Sequence, residues 1–166
     1  MIDKTQLVHW VKEIDKRLKN KIDIIAVGGT AMTLLGLKSS TIDIDFCIKS
    51  KNKTEFEKVL DRKFKVDVFV DGFIFSEQLP EDYLKKSKEI LELKNISLKA
   101  LSPVDIIITK SARLNARDEE DIAALAKYTR KDELIKRFNK VVKTYVGKEE
   151  DYRQNFDYVL KRYFKK

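Results

Sequence analysis

The sequence predicts an α+β fold: a mixed β-sheet flanked by helices over residues 1–101, then a helical C-terminal bundle over 102–166, packed as one structural unit. Three observations predict it. Residues 41–48 and 65–71 alternate apolar and polar side chains with the period of a strand. Short apolar runs and short helical patterns interleave up to about residue 100. Beyond Ser102-Pro103 the apolar spacing stays helical to the end of the chain.

The elements follow in order. Asp3 and Gln6 have the spacing of a capping box, and Leu7, Val11, Ile14 and Leu18 recur at helical intervals, so a helix spans about 3–20. Residues 22–27 form a β-rich run. Gly28-Gly29 break it, and 30–35 read as a short helix ending at Gly36. After a polar loop at 38–41, the strand 41–48 puts Ile42, Ile44 and Phe46 on one face and Asp43 and Asp45 on the other. A helix over 54–60 precedes the strand 65–71, where Val66, Val68 and Val70 oppose Asp67, Phe69 and Asp71. Residues 73–75 extend the sheet past a turn at Asp71-Gly72. A charged helix over 80–88 leads to strands at 90–93 and 96–99 about the turn Lys94-Asn95. Ser102 and Pro103 suit the cap and first turn of the next helix. Helices are expected at about 103–115, 118–130, 132–145 and 150–164.

Composition narrows the class. Of 166 residues, 43% are apolar and 37% charged, with five Gly and two Pro, which suits a packed domain rather than a disordered chain. The single cysteine, Cys47, lies in an apolar run and reads as a buried strand residue in a reducing compartment. The first residues lack a signal-peptide layout, and no apolar run reaches the roughly 20 residues of a membrane helix, so a cytoplasmic protein is expected. The net charge is +8, and residues 127–166 supply +7 of it, with 13 Lys+Arg against 6 Asp+Glu. That asymmetry suits a polyanion partner as well as a solvated helical surface. One histidine, His9, on the polar face of the first helix, supports neither a catalytic triad nor a zinc site.

The chemistry concentrates between residues 26 and 71. Asp43 and Asp45 project from one strand face about 7 Å apart. Carboxylates so placed can hold a hard divalent cation such as Mg²⁺ or Mn²⁺. Asp67, on another alternating strand, can complete a metal site of the kind used in phosphoryl chemistry, and Asp71 is a rival on the same strand face. A strand that ends at Gly28-Gly29 and becomes a helix directs backbone N–H groups at one point, where phosphates of a nucleoside triphosphate can approach.

Gly28-Gly29, thirteen further residues, and Asp43-Ile44-Asp45 resemble the signature of the DNA polymerase β-type nucleotidyltransferase superfamily. Val66-Asp67-Val68 is similar to its later apolar-Asp-apolar strand. The segments 101–110 and 117–121 resemble motifs of the AbiEii-type branch, which includes toxins of toxin–antitoxin systems. The resemblance implies a nucleotidyltransferase-like fold and Mg²⁺-dependent transfer from a nucleoside triphosphate to an acceptor hydroxyl. It implies Asp43, Asp45 and Asp67 as metal ligands and phosphates on Gly28, Gly29 and Thr30. It further suggests a transfer RNA 3′ end as acceptor and an antitoxin as protein partner. A catalytically inactive nucleotide- or RNA-binding module and a small-molecule nucleotidyltransferase are the alternatives. Gly29 replaces the common serine of the motif, so Thr30 or backbone N–H groups would serve the phosphate.

In the helical part, Lys110 shares a largely apolar stripe with Pro103, Ile107 and Leu114 and needs a partner there. It is expected to neutralise charge on the transferred nucleotide, or to snorkel. Asp121 could orient it, Arg113 and Arg117 could extend a basic wall, and Asp118 suits a helix cap. The aromatic stripe Tyr152, Phe156, Val159 and Tyr163 fits core packing, and the bases around it could grip RNA.

Overall fold

The computed structural model describes residues 1–165. Among these the chain runs β1 (Ile2–Asp3), α1 (Lys4–Arg17), β2 (Ile22–Ala26), α2 (Gly28–Leu34), β3 (Ser40–Thr41), β4 (Ile44–Ile48), α3 (Lys53–Val59), β5 (Val66–Val70), β6 (Phe73–Ile74), β7 (Glu77–Gln78), α4 (Tyr83–Lys86), β8 (Lys88–Glu92) and β9 (Ile96–Ala100). Helices α5 (Pro103–Arg113), α6 (Ala116–Ala126), α7 (Lys131–Val141) and α8 (Glu149–Tyr163) follow. This is the α+β class that the sequence predicts. The chain forms two compact units, one from Met1–Gly72 and Leu84–Leu101, the other from Phe73–Tyr83 and the residues from Ser102 onward.

In the first unit five strands lie in the order β5-β4-β2-β9-β8. The β4–β5 and β2–β9 pairs are parallel, and the β2–β4 and β8–β9 pairs antiparallel. Helix α1 opens with the capping box, Asp3 accepting from the Gln6 N–H and Gln6 from the Asp3 N–H. Its buried stripe is Leu7, Trp10, Val11 and Ile14. Trp10 stacks on Phe46 at 6.3 Å and meets Phe64 edge-on at 6.0 Å, which ties the helix to β4. The helix stops at Arg17, earlier than expected, because Asn95 Nδ2 captures the Leu18 carbonyl at 2.7 Å.

Two strand expectations need correction. Residues 41–48 are not one strand: Thr41 pairs with Ile2 in a separate β1–β3 ribbon, the chain bends, and β4 starts at Ile44. Ile42 is therefore 55% exposed instead of joining Ile44 and Phe46 in the core. The charged helix expected over 80–88 shrinks to α4, because Lys88 is already paired with Ala100 in the β8–β9 ladder.

In the second unit Ser102 caps α5 and Asn115 caps α6. Phe138 of α7 stacks on Phe156 of α8 at 3.8 Å, and the Tyr152 hydroxyl donates to the Ile108 carbonyl at 2.7 Å. Of the expected stripe, Tyr152, Phe156 and Val159 are core, whereas Tyr163 is half-buried and its hydroxyl donates to Glu119 at 3.1 Å. Buried Arg137 binds both carboxylate oxygens of buried Asp105, at 2.6 and 2.9 Å, and also reaches Asp82. Among the described residues no helix is long and apolar enough to cross a membrane.

Candidate active site

The site is built where β2 leaves the sheet. Ala26 lies opposite Phe46 of antiparallel β4, and the Val27 N–H donates to the Asp45 carbonyl at 3.0 Å. The chain then turns at once into α2. Gly28 takes φ +55°, a left-handed conformation that costs other residues roughly 1 kcal/mol. The first N–H of the helix to bond back is that of Ala31, to the Val27 carbonyl at 3.1 Å, so the N–H groups of Gly28, Gly29 and Thr30 lie ahead of the helical ladder. At Gly29 a Cβ would stand 3.1 Å from Thr41 Oγ1 and 4.0 Å from Lys38 Nζ.

Thr30 ties this turn to the aspartates. Its buried hydroxyl donates to the Asp43 carbonyl at 3.1 Å and accepts from the Asp45 N–H at 3.0 Å. The Thr41 hydroxyl donates to the same Asp43 carbonyl at 2.9 Å. The sequence suggests the Thr30 hydroxyl as a phosphate contact. Here it faces β4 and fixes the backbone that carries both carboxylates.

The carboxylates lie on neighbouring parallel strands. Asp45 and Asp67 are paired in register, and their side chains share one face. One step back, the Ile44 N–H donates to the Lys65 carbonyl at 3.0 Å, which sets Lys65 beside Asp43. Lys65 Nζ stands 3.9 Å from Asp43 Oδ2 and 3.8 Å from Asp67 Oδ2. Asp43, Asp45, Lys65 and Asp67 thus form a two-by-two array at the end of the sheet. Asp71 is elsewhere. It sits at φ +52° in the turn after β5, and its carboxylate accepts from the Ser50 N–H at 3.0 Å. Of the two rivals, only Asp67 pairs with Asp45.

The remaining predicted residues belong to the second unit. Buried Lys110 makes ion pairs with Asp121 at 2.8 Å and Asp118 at 3.5 Å. Asp118 also accepts two bonds from Arg113, at 2.8 and 2.7 Å, and completes a capping box with Asn115. Burial works to raise its pKa, but Arg113, the Asn115 N–H and Lys110 outweigh it and hold the carboxyl below its ordinary range. Arg117 is exposed. Sequence reasoning missed Lys65 and Lys38. Lys65 had a signal: two residues before Asp67, strand alternation puts it on the carboxylate face.

A model of a family described as a nucleotidyltransferase of unknown function (DUF6036) matches residues 5–166. The chain belongs to this family. No curated protein matches this nucleotidyltransferase. Solved structures share its fold. The solution structure of the antibiotic-resistance factor ANT(2'')-Ia is 12% identical with TM-score 0.57, over 98% of this chain and 99% of that one. The crystal structure of ANT(2'')-Ia in complex with adenylyl-2''-tobramycin is 13% identical with TM-score 0.54, over 92% of this chain and 98% of that one. Family and fold thus support the superfamily expected from the motifs. Neither points to the AbiEii-type branch, to an antitoxin or to RNA.

A nucleotidyltransferase implies a divalent metal, and the donor set can be tested for it. Among the described residues no three His, Cys, Asp or Glu side chains gather as an all-protein cage. Magnesium does not require one. It is usually held by one or two carboxylates, with waters and substrate phosphates completing the shell. Asp45 and Asp67 in register supply such a pair, and the Lys65 ammonium shows that a cation stands between Asp43 and Asp67. The residues fit the ion.

Proposed function

We propose that the protein moves a nucleotide from a nucleoside triphosphate to an acceptor hydroxyl at the array of Asp43, Asp45 and Asp67. The observation that carries this reading is the register of Asp45 with Asp67 beside the Gly28-Gly29 turn. Asp43, Asp45 and Asp67 would hold Mg²⁺ or Mn²⁺. When bound, the ion neutralises phosphate charge and the charge that develops at the reacting oxygens. The backbone N–H groups of Gly28, Gly29 and Thr30 receive the phosphates, and glycine permits their close approach. The acceptor oxygen attacks the α-phosphorus, forming one P–O bond, while the bond to the bridging oxygen breaks and pyrophosphate leaves. The hydroxyl proton passes to Asp67. Thr30 holds Asp43 and Asp45 in place. Lys110, with its ammonium committed to Asp121 and Asp118, is assigned to holding α6 on α5.

Two acceptor classes have support. The ANT(2'')-Ia complex holds adenylyl-2''-tobramycin, which favours a small hydroxylated molecule. The second reading is RNA, such as a transfer RNA 3′ end modified by a toxin. It is favoured by the +7 of residues 127–166 and by an open groove lined by Lys131, Arg162, Tyr163, Phe164 and Lys165. The test is incubation with each α-labelled triphosphate and Mg²⁺, in parallel with an aminoglycoside panel and with total cellular RNA. Label in a small product supports the first class, and label in RNA the second. Transfer that persists unchanged in D45N would end the assignment.

A further inference from the structure

We propose that Lys65 is a built-in counter-charge of the carboxylate array, which weakens divalent-cation binding until a nucleotide is present. The inference rests on the proposed reading of Asp43, Asp45 and Asp67 as metal ligands. Register, rather than a chance rotamer, puts Lys65 there. Ile44 pairs with Val66 and Asp45 with Asp67, and the ladder continues one step back through the Ile44–Lys65 hydrogen bond. Strand alternation then fixes Lys65 on the face of Asp67, beside Asp43. Its ammonium lies within 3.9 Å of one carboxylate and 3.8 Å of the other, so a cation arriving between them meets a positive charge already there.

The charge balance gives this arrangement a consequence. Asp43, Asp67 and the Lys65 ammonium between them leave one net negative charge, too little to balance a divalent ion. A divalent ion bound there makes the three groups positive, and the negative charge of a polyphosphate offsets that excess. Lys65 is 69% exposed on a flexible four-carbon stem, so it can move aside at little cost. The attraction it gives up is that of an exposed pair, which is small. Without Lys65 the Asp43 and Asp67 carboxylates keep both negative charges, and the array takes metal more tightly in the absence of nucleotide.

The experiment is Mn²⁺ binding to the full chain at low ionic strength, read by paramagnetic resonance of free Mn²⁺, for wild type, K65M, K65R and D45N without nucleotide. Wild type must give up the attraction of a unit charge about 4 Å from a carboxylate in a water-like dielectric and K65M need not, so Mn²⁺ binding should tighten roughly fivefold in K65M. K65R, which keeps the charge, should bind like wild type, and added salt should shrink the K65M difference. A thermal-denaturation series on the same samples should give K65M a larger Mn²⁺-dependent rise in Tm than wild type. Equal or weaker Mn²⁺ binding by K65M, with wild type binding and D45N not, overturns the role of Lys65 and leaves the metal site standing. No Mn²⁺ binding by wild type at millimolar concentration overturns the metal-site reading, and this inference with it.

Discussion

Asp45 and Asp67 face each other across parallel β4 and β5, paired in register on one side of the sheet. Like charges placed directly opposite destabilise a sheet by roughly 0.2–1 kcal/mol. Such a cost, with Asp43 one step away, is the one expected if the pair serves the proposed metal site.

The first prediction follows from that conflict. D45N and D67N should each lower nucleotide transfer by about a hundredfold or more, since each removes a carboxylate from the proposed reacting centre. Metal-free Tm should stay level or rise by a few degrees. Labelled-nucleotide turnover and thermal denaturation on the same preparations test this. A loss of activity that tracks unfolding would refute the assignment.

Thr30 offers a sharper separation of structure from chemistry. T30V removes a hydroxyl that serves both the Asp43 carbonyl and the Asp45 N–H, leaving buried polar groups without it. The expected cost is about 1–3 kcal/mol in urea denaturation, with a fall in kcat. T30S keeps the hydroxyl and should recover most of both. A T30V protein with wild-type stability and turnover would mean that the clamp is idle.

Much of this site was legible in the sequence, and the parts that were not have physical reasons. The diglycine break and the places of Asp45 and Asp67 on alternating strands follow from local periodicity, which a sequence displays directly, whereas Asp43 lies just before β4 and not within one strand with Asp45. The pairing of Asp45 with Asp67 does not, because register depends on which strands become neighbours. The split of 41–48 into β3 and β4 was hidden for the same reason: only the pairing of Thr41 with Ile2 reveals it. Thr30 looked like a phosphate contact because a hydroxyl beside a diglycine suits that role equally well, and only the tertiary fold turns it toward β4. Lys110 was recognised as needing a partner. That Asp121 and Asp118 both supply one needed the α5–α6 packing.

The two glycines should fail differently. G28A forces a Cβ into a left-handed conformation at φ +55° and should cost about 1 kcal/mol of stability. In G29A the Cβ meets Thr41 Oγ1 at 3.1 Å, and that oxygen is held by the Asp43 carbonyl. G29A should therefore raise the KM for nucleoside triphosphate more than it lowers Tm. Steady-state kinetics beside a melting curve tests both. Equal KM values for G29A and wild type would remove the phosphates from this turn.

Lys110 provides a stability test in the helical unit. K110M leaves Asp121 without its 2.8 Å ammonium partner in a nearly buried setting. Breaking a buried pair from one side costs roughly 3 kcal/mol. K110M/D121L, which removes both charges, should recover a good part of that. A single variant as stable as wild type would show that the pair contributes nothing.

The last prediction concerns pH. Glu77 of β7 is 0% exposed, and among the described residues neither carboxylate oxygen meets a hydrogen-bond partner. Burial pushes its pKa up to about 8 from an ordinary 4.5, outweighing a lowering contribution from the Ser76 backbone. In the unfolded chain the proton leaves near the ordinary value, and in the folded protein it stays until about pH 8. Between those limits the folded state binds more protons, so stability is fully present below about pH 4.5 and falls as pH rises through 8. The loss is on the order of 5 kcal/mol at its limit. The carboxylate formed at high pH would also face Tyr152, whose own pKa is raised first by burial and then by Glu77. E77Q cannot ionise, so its Tm should vary less with pH. It should match or fall below wild type at pH 5 and gain on it by roughly 10 °C between pH 5 and pH 8.5. Melting curves taken across that range decide the matter, and parallel profiles for the two proteins would mean that Glu77 does not hold its proton in the folded state.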